Sequence, residues 1–240
     1  MARSAKYLGV PMRDIKVCVF DAYGTLFDVN AAARAVAQQP GQETFAAVWP
    51  QVSANWRTKQ LQYTWLRAVT GDYCDFWQVT QDGLDWALEA ARLDDPELRE
   101  TLLGLYWTLA AYPEVPAMLG ALKSGGLETA ILSNGSPAML KGAVESAGIT
   151  ETLDAVLSVD DVGIFKPSSR VYDMVGARFG CAPSEVLFVS SNGWDAAGAA
   201  AYGFETLWVN RSGEPMDRLP GRPARTAPDL TLVPQIVGLQ

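Results

Sequence analysis

The sequence predicts an α/β protein whose Rossmann-like parallel-sheet core carries an inserted all-helical cap. Three observations support this prediction. An apolar run over residues 15–20 ends in a carboxylate, helix and strand patterns alternate from residue 113 onward, and residues 30–112 carry helical patterns only. Strands separated by helices imply right-handed crossovers, so the alternating half should form one parallel sheet with the first strand.

The domain bounds follow from where the purely helical pattern starts and stops. Residues 14–29 and 113–240 are predicted to form the core, and residues 30–112 the cap. Residues 1–13 precede the first strand pattern and are interpreted as an N-terminal extension.

In the first half, residue spacing and helix-breaking residues place each element. After the strand at 15–20, an Ala-rich helix is ended by Pro40 and Gly41. Aromatic and apolar residues three or four positions apart then predict a long helix, and Gly71 interrupts their pattern. The predicted cap helices cover 31–39, 49–70, 76–92 and 96–111.

In the second half, short apolar runs alternate with helical patterns. Strands are predicted over 127–132, 155–158, 185–189 and 206–209, and helices over 115–124, 137–147 and 168–179, with an Ala-rich helix ending at Tyr202. Ser136 and Pro137 are a favourable cap and first-turn pair for the second of these helices. The Pro- and Arg-rich segment 211–228 is predicted to be a loop.

Composition excludes several classes of partner. A formal net charge of −8 argues against a nucleic-acid partner or an anionic membrane surface, because both need clustered Lys and Arg.

Residues 1–14 are charged and lack a long apolar core, so neither a signal peptide nor a transmembrane segment is expected. Cys18, Cys74 and Cys181 form no C-x-x-C pair, which favours reduced thiols and a cytoplasmic protein.

The sequence contains no histidine, and this count removes whole classes of mechanism. Ser-His-Asp and Cys-His nucleophile systems and histidine metal sites are all excluded. The glycine motifs of dinucleotide-binding, P-loop and α/β-hydrolase proteins are absent as well. Any chemistry must therefore rest on carboxylates, Lys, Arg, Tyr or hydroxyl groups.

Polar residues follow several strand patterns at their carboxyl ends. They are the segment 21–25, the pair Ser133 and Asn134, Lys166, and the segment 190–195. Taken singly, each is more simply explained as a turn, a helix cap or a solvated side chain. Because the carboxyl ends of parallel strands share one edge, where ligands bind in open α/β sheets, we expect these segments to meet there.

Five segments resemble the haloacid dehalogenase (HAD) superfamily, and specifically its L-2-haloacid dehalogenase family. They are Asp-Ala-Tyr-Gly-Thr-Leu-Phe-Asp at 21–28, Leu-Ser-Asn-Gly-Ser-Pro at 132–137, Lys-Pro at 166–167, Ser-Ser-Asn-Gly-Trp-Asp at 190–195, and the cap segment 56–67. The resemblance covers nearly the whole chain. It implies a HAD-like fold, and because homodimers are common in the family, it also implies a homodimer.

Two positions depart from the phosphatases of that superfamily. Those enzymes carry a second Asp two residues after the nucleophile and an acidic magnesium ligand in the last motif. This chain has Tyr23 at the first position and Ser190-Ser191-Asn192 in the last motif. Phosphoryl transfer would be slow without a cation or an acid, whereas a halide leaves as a stable anion. The sequence therefore favours attack on carbon without metal or other cofactor.

The resemblance implies a role for each matching residue. Asp21 is expected to displace halide from C2 of an L-2-haloacid with inversion, after which water hydrolyses the ester to a D-2-hydroxy acid. Arg57 is expected to receive the halide, while Ser133 and Asn134 bind the substrate carboxylate. A small 2-haloacid and a halide ion are thus the expected ligands.

The remaining residues are expected to support this reaction. Thr25 holds the Asp21 carboxylate by a hydrogen bond, and Lys166 keeps that carboxylate ionised. Tyr172 and Ser190 are expected to orient Lys166.

A second carboxylate is expected to handle the water. Asp195, helped by Asn192, is predicted to position or activate the hydrolytic water. The other residues expected to contact the substrate are Ala22, Tyr23, Leu61, Phe76 and Trp194.

Two alternatives remain open at this point. The first is a magnesium-dependent phosphatase of the same superfamily acting on a small phosphate ester. The second is a degenerate member that binds ligands or partners without catalysis, and the intact set of Asp21, Lys166 and Asp195 argues against it.

Overall fold

A computed structural model of the protein describes residue 12 and residues 14–239. Six strands form one sheet in which every neighbouring pair is parallel, in the order β3-β2-β1-β4-β5-β6. The strands are β1 (Val17–Phe20), β2 (Glu128–Ser133), β3 (Ala155–Ser158), β4 (Val186–Ser190), β5 (Glu205–Val209) and β6 (Arg225–Ala227). The predicted α/β fold class is confirmed.

Ten α-helices accompany the sheet in the described residues. They are α1 (Ala31–Ala37), α2 (Glu43–Ala46), α3 (Trp49–Thr70), α4 (Phe76–Ala90), α5 (Pro96–Tyr106), α6 (Val115–Ser124), α7 (Pro137–Ser146), α8 (Ser169–Phe179), α9 (Gly193–Tyr202) and α10 (Val233–Ile236). The first five helices all lie between β1 and α6, where the cap was predicted. No described helix is both long enough and apolar enough to cross a membrane.

The structure contains three short elements that the sequence patterns did not predict. They are α2, α10 and β6, and β6 lies in the segment predicted to be a loop. A helix of four residues makes barely one turn, and a strand of three residues makes one and a half periods, so α2, α10 and β6 are too short to show a repeating pattern. The division into core and cap stays a prediction, and the proposed extension at 1–13 lies almost entirely outside the described residues.

β1 is fully buried and is one of the two central strands of the sheet. All four of its residues are buried, with β2 on one side and β4 on the other. Phe20, its last residue, is in register with Ile131 of β2 and Val189 of β4. The segments that follow these three strands therefore leave the sheet at the same edge, as the sequence predicted.

Helices α3 and α4 form the largest contact within the helical segment. The face of α3 turned inward carries Val52, Trp56, Gln60 and Thr64, which recur every four residues and are all buried. The Trp56 indole N–H donates to the Thr80 carbonyl of α4 at 2.8 Å. Burying an aromatic side chain of this kind stabilises a fold by about 1.5–3 kcal/mol.

Candidate active site

Asp21 follows β1 directly and is surrounded by hydrogen-bond donors. Its Oδ2 accepts from the Thr25 hydroxyl at 3.0 Å and from the Asn192 amide at 2.8 Å. Its Oδ1 accepts from the Lys166 ammonium at 3.2 Å. Gly24, at φ +87°, makes the turn that brings Thr25 back to Asp21, and this positive φ favours glycine.

Lys166 joins two carboxylates that are far apart in the sequence. Its Nζ lies 3.2 Å from Asp21 Oδ1 and 2.8 Å from Asp195 Oδ2, and Lys166 is only 1% exposed. The Tyr172 hydroxyl donates to the other Asp195 oxygen at 2.8 Å. Asp195 is completely buried, and each of its two oxygens accepts a hydrogen bond from one of these buried donors.

Electrostatics keep this cation charged. Burial acts to lower the pKa of Lys166, but the charges of Asp195 and Asp21 outweigh burial and raise that pKa above its usual value. Burial raises the pKa of Asp195, and Lys166 only partly opposes this effect.

Arg57 reaches this site from helix α3. Its guanidinium donates to the Tyr23 carbonyl and to Asn192 Oδ1, both at 3.2 Å. Because the amide of Asn192 also donates to Asp21, one side chain links the cation of the helical segment to the carboxylate at the sheet edge. Arg57, which was expected to receive the halide, therefore lies one side chain away from the Asp21 carboxylate.

Ser133 and Asn134 end β2 with unused donors. The Ser133 oxygen accepts from the Gly135 N–H at 3.1 Å, which leaves the Ser133 hydroxyl proton free to donate. Asn134 Oδ1 accepts from the Lys166 backbone N–H at 3.0 Å, which directs the amide group of Asn134 elsewhere. Both residues can therefore donate to an acceptor near Asp21.

Aromatic rings close the site on the side of the helical segment. The Tyr23 ring packs 5.7 Å from Phe76 and 5.5 Å from Tyr106, centroid to centroid. Gly135 allows this packing, because a Cβ there would lie 2.7 Å from the Tyr23 ring. Ala22 is completely buried behind Tyr23. These rings keep water away from part of the site.

A cavity of about 630 Å³ opens beside the site. Its lining includes Leu61 of α3, together with Ser191, Asn192 and Trp194 from the start of α9. Asn192 contacts Asp21, so the cavity reaches the hydrogen-bonded shell of the carboxylate. It offers a route by which small molecules approach.

The two pairings expected for Lys166, with Tyr172 and Ser190, differ in the structure, and Asn192, which was expected to help Asp195 with the water, contacts another carboxylate. Tyr172 contacts Asp195 instead of Lys166, because its ring approaches from α8 on the Asp195 side. Ser190 does not contact Lys166 either: its hydroxyl oxygen accepts from the Asn192 N–H at 3.1 Å. Asn192 contacts Asp21 instead of Asp195, which lies one helical turn further along the chain.

Three neighbours of the site were not predicted. Ser191 donates its backbone N–H to the Thr25 hydroxyl at 2.8 Å and so orients the Thr25 proton toward Asp21. Gln60 and Tyr106 form a buried polar pair next to Tyr23. A polar Gln among the buried positions of α3 was the available signal in the sequence.

The donor set does not fit a divalent cation. Among the described residues, no group of three or more His, Cys, Asp or Glu side chains is placed to hold a metal ion. The position between Asp21 and Asp195 is taken by the Lys166 ammonium, which supplies the positive charge there. Magnesium needs near-octahedral oxygen coordination, which this arrangement does not offer.

Comparisons with known proteins agree with this geometry. The family model for haloacid dehalogenase-like hydrolases matches residues 15–203. The (S)-2-haloacid dehalogenase 1 of Pseudomonas sp. (strain CBS-3) is 47% identical over 207 residues, which is 86% of this chain and 89% of that protein. A crystallised dehalogenase is 38% identical with a TM-score of 0.90 and covers 95% of this chain and 99% of its own.

One solved structure contains a trapped molecule. It is the L-2-haloacid dehalogenase from Xanthobacter autotrophicus with chloropropionic acid covalently bound. It is 37% identical to this chain, with a TM-score of 0.83, and the match covers 94% of this chain and all of that one.

Proposed function

The chain belongs to the haloacid dehalogenase-like hydrolases and, within them, to the (S)-2-haloacid dehalogenase family, and from this premise we propose its reaction. The protein hydrolyses short-chain L-2-haloacids to D-2-hydroxy acids and halide, through an ester of Asp21 and without a metal ion. The observation that carries the proposal is the Asp21 carboxylate held by one buried ammonium and two neutral donors.

The first step is attack by Asp21 on C2 of the substrate. Oδ1 has one hydrogen-bond partner and Oδ2 has two, so Oδ1 keeps more lone-pair density for attack. The new Oδ1–C2 bond forms as the C2–halogen bond breaks on the opposite side, and the halide leaves with the bonding electrons. This displacement inverts C2.

The second step is hydrolysis of the ester at the Asp21 carboxyl carbon. Oδ2 is then the ester carbonyl oxygen, and charge builds on it as water adds. Thr25 and Asn192 already donate to Oδ2, so they form a preorganised oxyanion site. Asp195, whose pKa burial raises, is a stronger base than an ordinary carboxylate and takes the proton of the water. The bond between the carboxyl carbon and Oδ1 then breaks, Oδ1 leaves as the hydroxyl oxygen of the product, and the proton taken by Asp195 goes to it.

The substrate is held by groups that donate to its carboxylate. Ser133 and Asn134 each have a donor left over after their contacts within the protein. Arg57 lies on the other side of Asn192 and provides a positive charge for the departing halide. Separate sites for the two ends of the substrate place C2 in front of Asp21.

A metal-dependent phosphatase is the alternative within the same fold. Tyr23 stands where such an enzyme needs a second acid, and burial raises the pKa of its hydroxyl well above the usual value. It cannot supply a proton to a leaving oxygen near neutral pH. The Lys166 ammonium between the carboxylates also disfavours a magnesium ion there.

The deciding experiment is an assay of halide release with the two 2-chloropropanoate enantiomers. We expect chloride and D-lactate from the L-enantiomer only, with the same rate after EDTA treatment, because no step uses a divalent cation. A generic phosphate ester serves as the control substrate and should remain intact. Chloride release from neither enantiomer, or phosphate release that EDTA abolishes, would contradict the proposal.

We also propose a homodimer. Leu66 and Val69 on α3 are 54% and 85% exposed, and Trp65 and Trp86 nearby are partly exposed, which is an apolar surface that a second copy could cover. Replacing Val69 with Glu should shift sedimentation toward the monomer, whereas Arg92→Glu, just beyond the C-terminal end of α4, should not. A monomeric wild-type protein at micromolar concentration would contradict this proposal.

We also propose a cytoplasmic location. Its support is that Cys18, Cys74 and Cys181 are all free thiols, which suits a reducing compartment.

A further inference from the structure

The hydroxyl of Tyr23 is buried and has no hydrogen-bond partner among the described residues. Buried polar atoms are nearly always paired, because an unpaired one loses its bond to water without replacement. The rest of the Tyr23 ring is well packed between Phe76 and Tyr106. A phenylalanine would make the same ring contacts without this penalty, so the unpaired hydroxyl calls for a functional explanation.

The neighbouring hydroxyl, on Tyr106, also has a proton without a good acceptor. The Thr80 hydroxyl donates to the Phe76 carbonyl at 2.7 Å, so its oxygen must accept from Gln60 Nε2 at 3.0 Å. This fixes the orientation of the Gln60 amide, whose second proton is then donated to the Tyr106 oxygen at 3.2 Å. The Tyr106 hydroxyl can then donate to Gln60 Oε1, but the two oxygens are 3.4 Å apart, which makes this hydrogen bond weak.

Arg57 contacts both tyrosines, through the backbone carbonyl of Tyr23 and the hydroxyl of Tyr106. Burial raises the pKa of Tyr23 and of Tyr106, and for both residues the nearby Arg57 charge acts in the opposite direction. The guanidinium donates to the Tyr23 carbonyl, so it is anchored beside the same residue. We call the Tyr23 hydroxyl, the Tyr106 hydroxyl and the Arg57 guanidinium the donor cluster. All three groups offer protons, and a small anion is the ligand that such a cluster fits.

We propose that the hydroxyls of Tyr23 and Tyr106 join Arg57 in binding the departing halide, and that these two hydroxyls set which halogens the enzyme can remove. This inference rests on the proposed function. As the Oδ1–C2 bond forms, the halogen takes the electron pair of the C2–halogen bond and becomes an anion. The hydroxyls donate hydrogen bonds to it and keep their protons, so no proton is transferred.

A halide fits this cluster better than the substrate carboxylate does. The carboxylate already has two donors, in Ser133 and Asn134. Around the hydroxyls, the walls are the aromatic rings of Tyr23, Phe76 and Tyr106, which exclude water. A single-atom anion can accept from three directions at once without a fixed orientation. Hydrogen bonds to a charged acceptor in such surroundings are stronger than those between neutral groups.

The test compares Tyr23→Phe and Tyr106→Phe with Tyr63→Phe as the matched control on α3. Bromide is titrated as an inhibitor of 2-chloropropanoate hydrolysis, and chloride binding to the free enzyme is followed by NMR line broadening. Loss of one hydroxyl should weaken halide binding about tenfold. The rate with fluoroacetate should fall more than the rate with bromoacetate, because fluoride depends most on hydrogen bonds. Tyr63→Phe should change neither quantity.

Thermal stability separates this role from a structural one. Tyr23→Phe removes an unpaired buried hydroxyl, so its melting temperature should rise by about 2–4 °C while halide binding weakens. Unchanged halide binding in both variants, or equal losses for every halogen, would overturn the inference. Chloride binding is followed by NMR without turnover, so an enzyme that binds chloride but releases none from 2-chloropropanoate would contradict the proposed function alone.

Discussion

Replacing Asp21 with Asn is expected to abolish turnover, with a loss of at least about four orders of magnitude in kcat. An amide oxygen is a poor nucleophile at a saturated carbon. All three partners of the Asp21 side chain, Thr25, Lys166 and Asn192, donate to it, so an amide nitrogen at either position would face a donor. Steady-state halide release measures the effect.

Asp28→Asn is the matched control for this change. It lies in the same segment, and its carboxylate faces the partly exposed Arg34 instead of the site. The same substitution there should leave kcat within about twofold of the wild-type value, because exposed ion pairs contribute little. Comparable losses in both variants would show that the segment, and not the Asp21 carboxylate, is what turnover needs.

The ester itself can be detected by a single turnover in water enriched in the heavy oxygen isotope. Water attacks the Asp21 carboxyl carbon, so the label should enter Asp21. The first product should carry the ordinary oxygen that belonged to the carboxylate. Mass spectrometry of the peptide containing Asp21 reads the label. Label in the first product with none in Asp21 would mean direct attack by water on C2.

Much of this arrangement was predictable from the sequence because it depends on topology. The apolar run of β1 ends at Asp21, and parallel pairing brings the ends of β2 and β4 to the same edge. The convergence of Asp21, Asn134, Lys166 and Asn192 follows from that rule once the strands are located. No strand rule could place Arg57, for which the family resemblance implied only a role in receiving the halide, and the structure has it beside Asn192.

What the sequence could not give is the pairing of side chains within the cluster. Whether Tyr172 contacts Lys166 or Asp195 depends on how α8 packs, which changes positions by a few ångströms without changing the topology. The contact between Gln60 and Tyr106 joins α3 to α5, and its two members are 46 residues apart. Helical periodicity identifies the face of each helix that is buried, but not which residue lies opposite it.

The second large effect is expected for Lys166→Met. Methionine is similar in length, but without the ammonium the carboxylates of Asp21 and Asp195 are both buried with no cation between them. One of them should then be protonated near neutral pH, because burial and the like charge both raise its pKa. We expect kcat to fall at least about 10³-fold, since the nucleophile is neutralised or misplaced.

The same variant should lose stability in a pH-dependent way. Removing one partner of a buried ion pair costs about 3–5 kcal/mol of the free energy of unfolding. In the variant the raised carboxylate pKa makes the native state bind more protons than the unfolded chain. Its free energy of unfolding should therefore rise, relative to the wild type, as pH falls from 7 to 5. Urea unfolding at the two pH values measures this.

Lys123→Met is the control for loss of a lysine ion pair as such. Lys123 pairs with Asp154 at the surface, where its side chain is 43% exposed. The change should cost at most about 1 kcal/mol, with little dependence on pH over the same range. If Lys166→Met were no more destabilising than Lys123→Met, the buried cation would not be holding the two carboxylates together.

A double variant, Lys166→Met with Asp195→Asn, separates charge from shape. It removes the second buried carboxylate while keeping its size, and the Tyr172 hydroxyl can still donate to the amide oxygen. We expect it to recover a large part of the stability lost by Lys166→Met and to lose the added pH dependence, because repulsion between two buried anions is gone. Turnover should stay lost, since neither the ammonium that orients Asp21 nor the base that activates water is restored. If the double variant were no more stable than Lys166→Met, the loss would come from packing around Met and not from the unpaired charge.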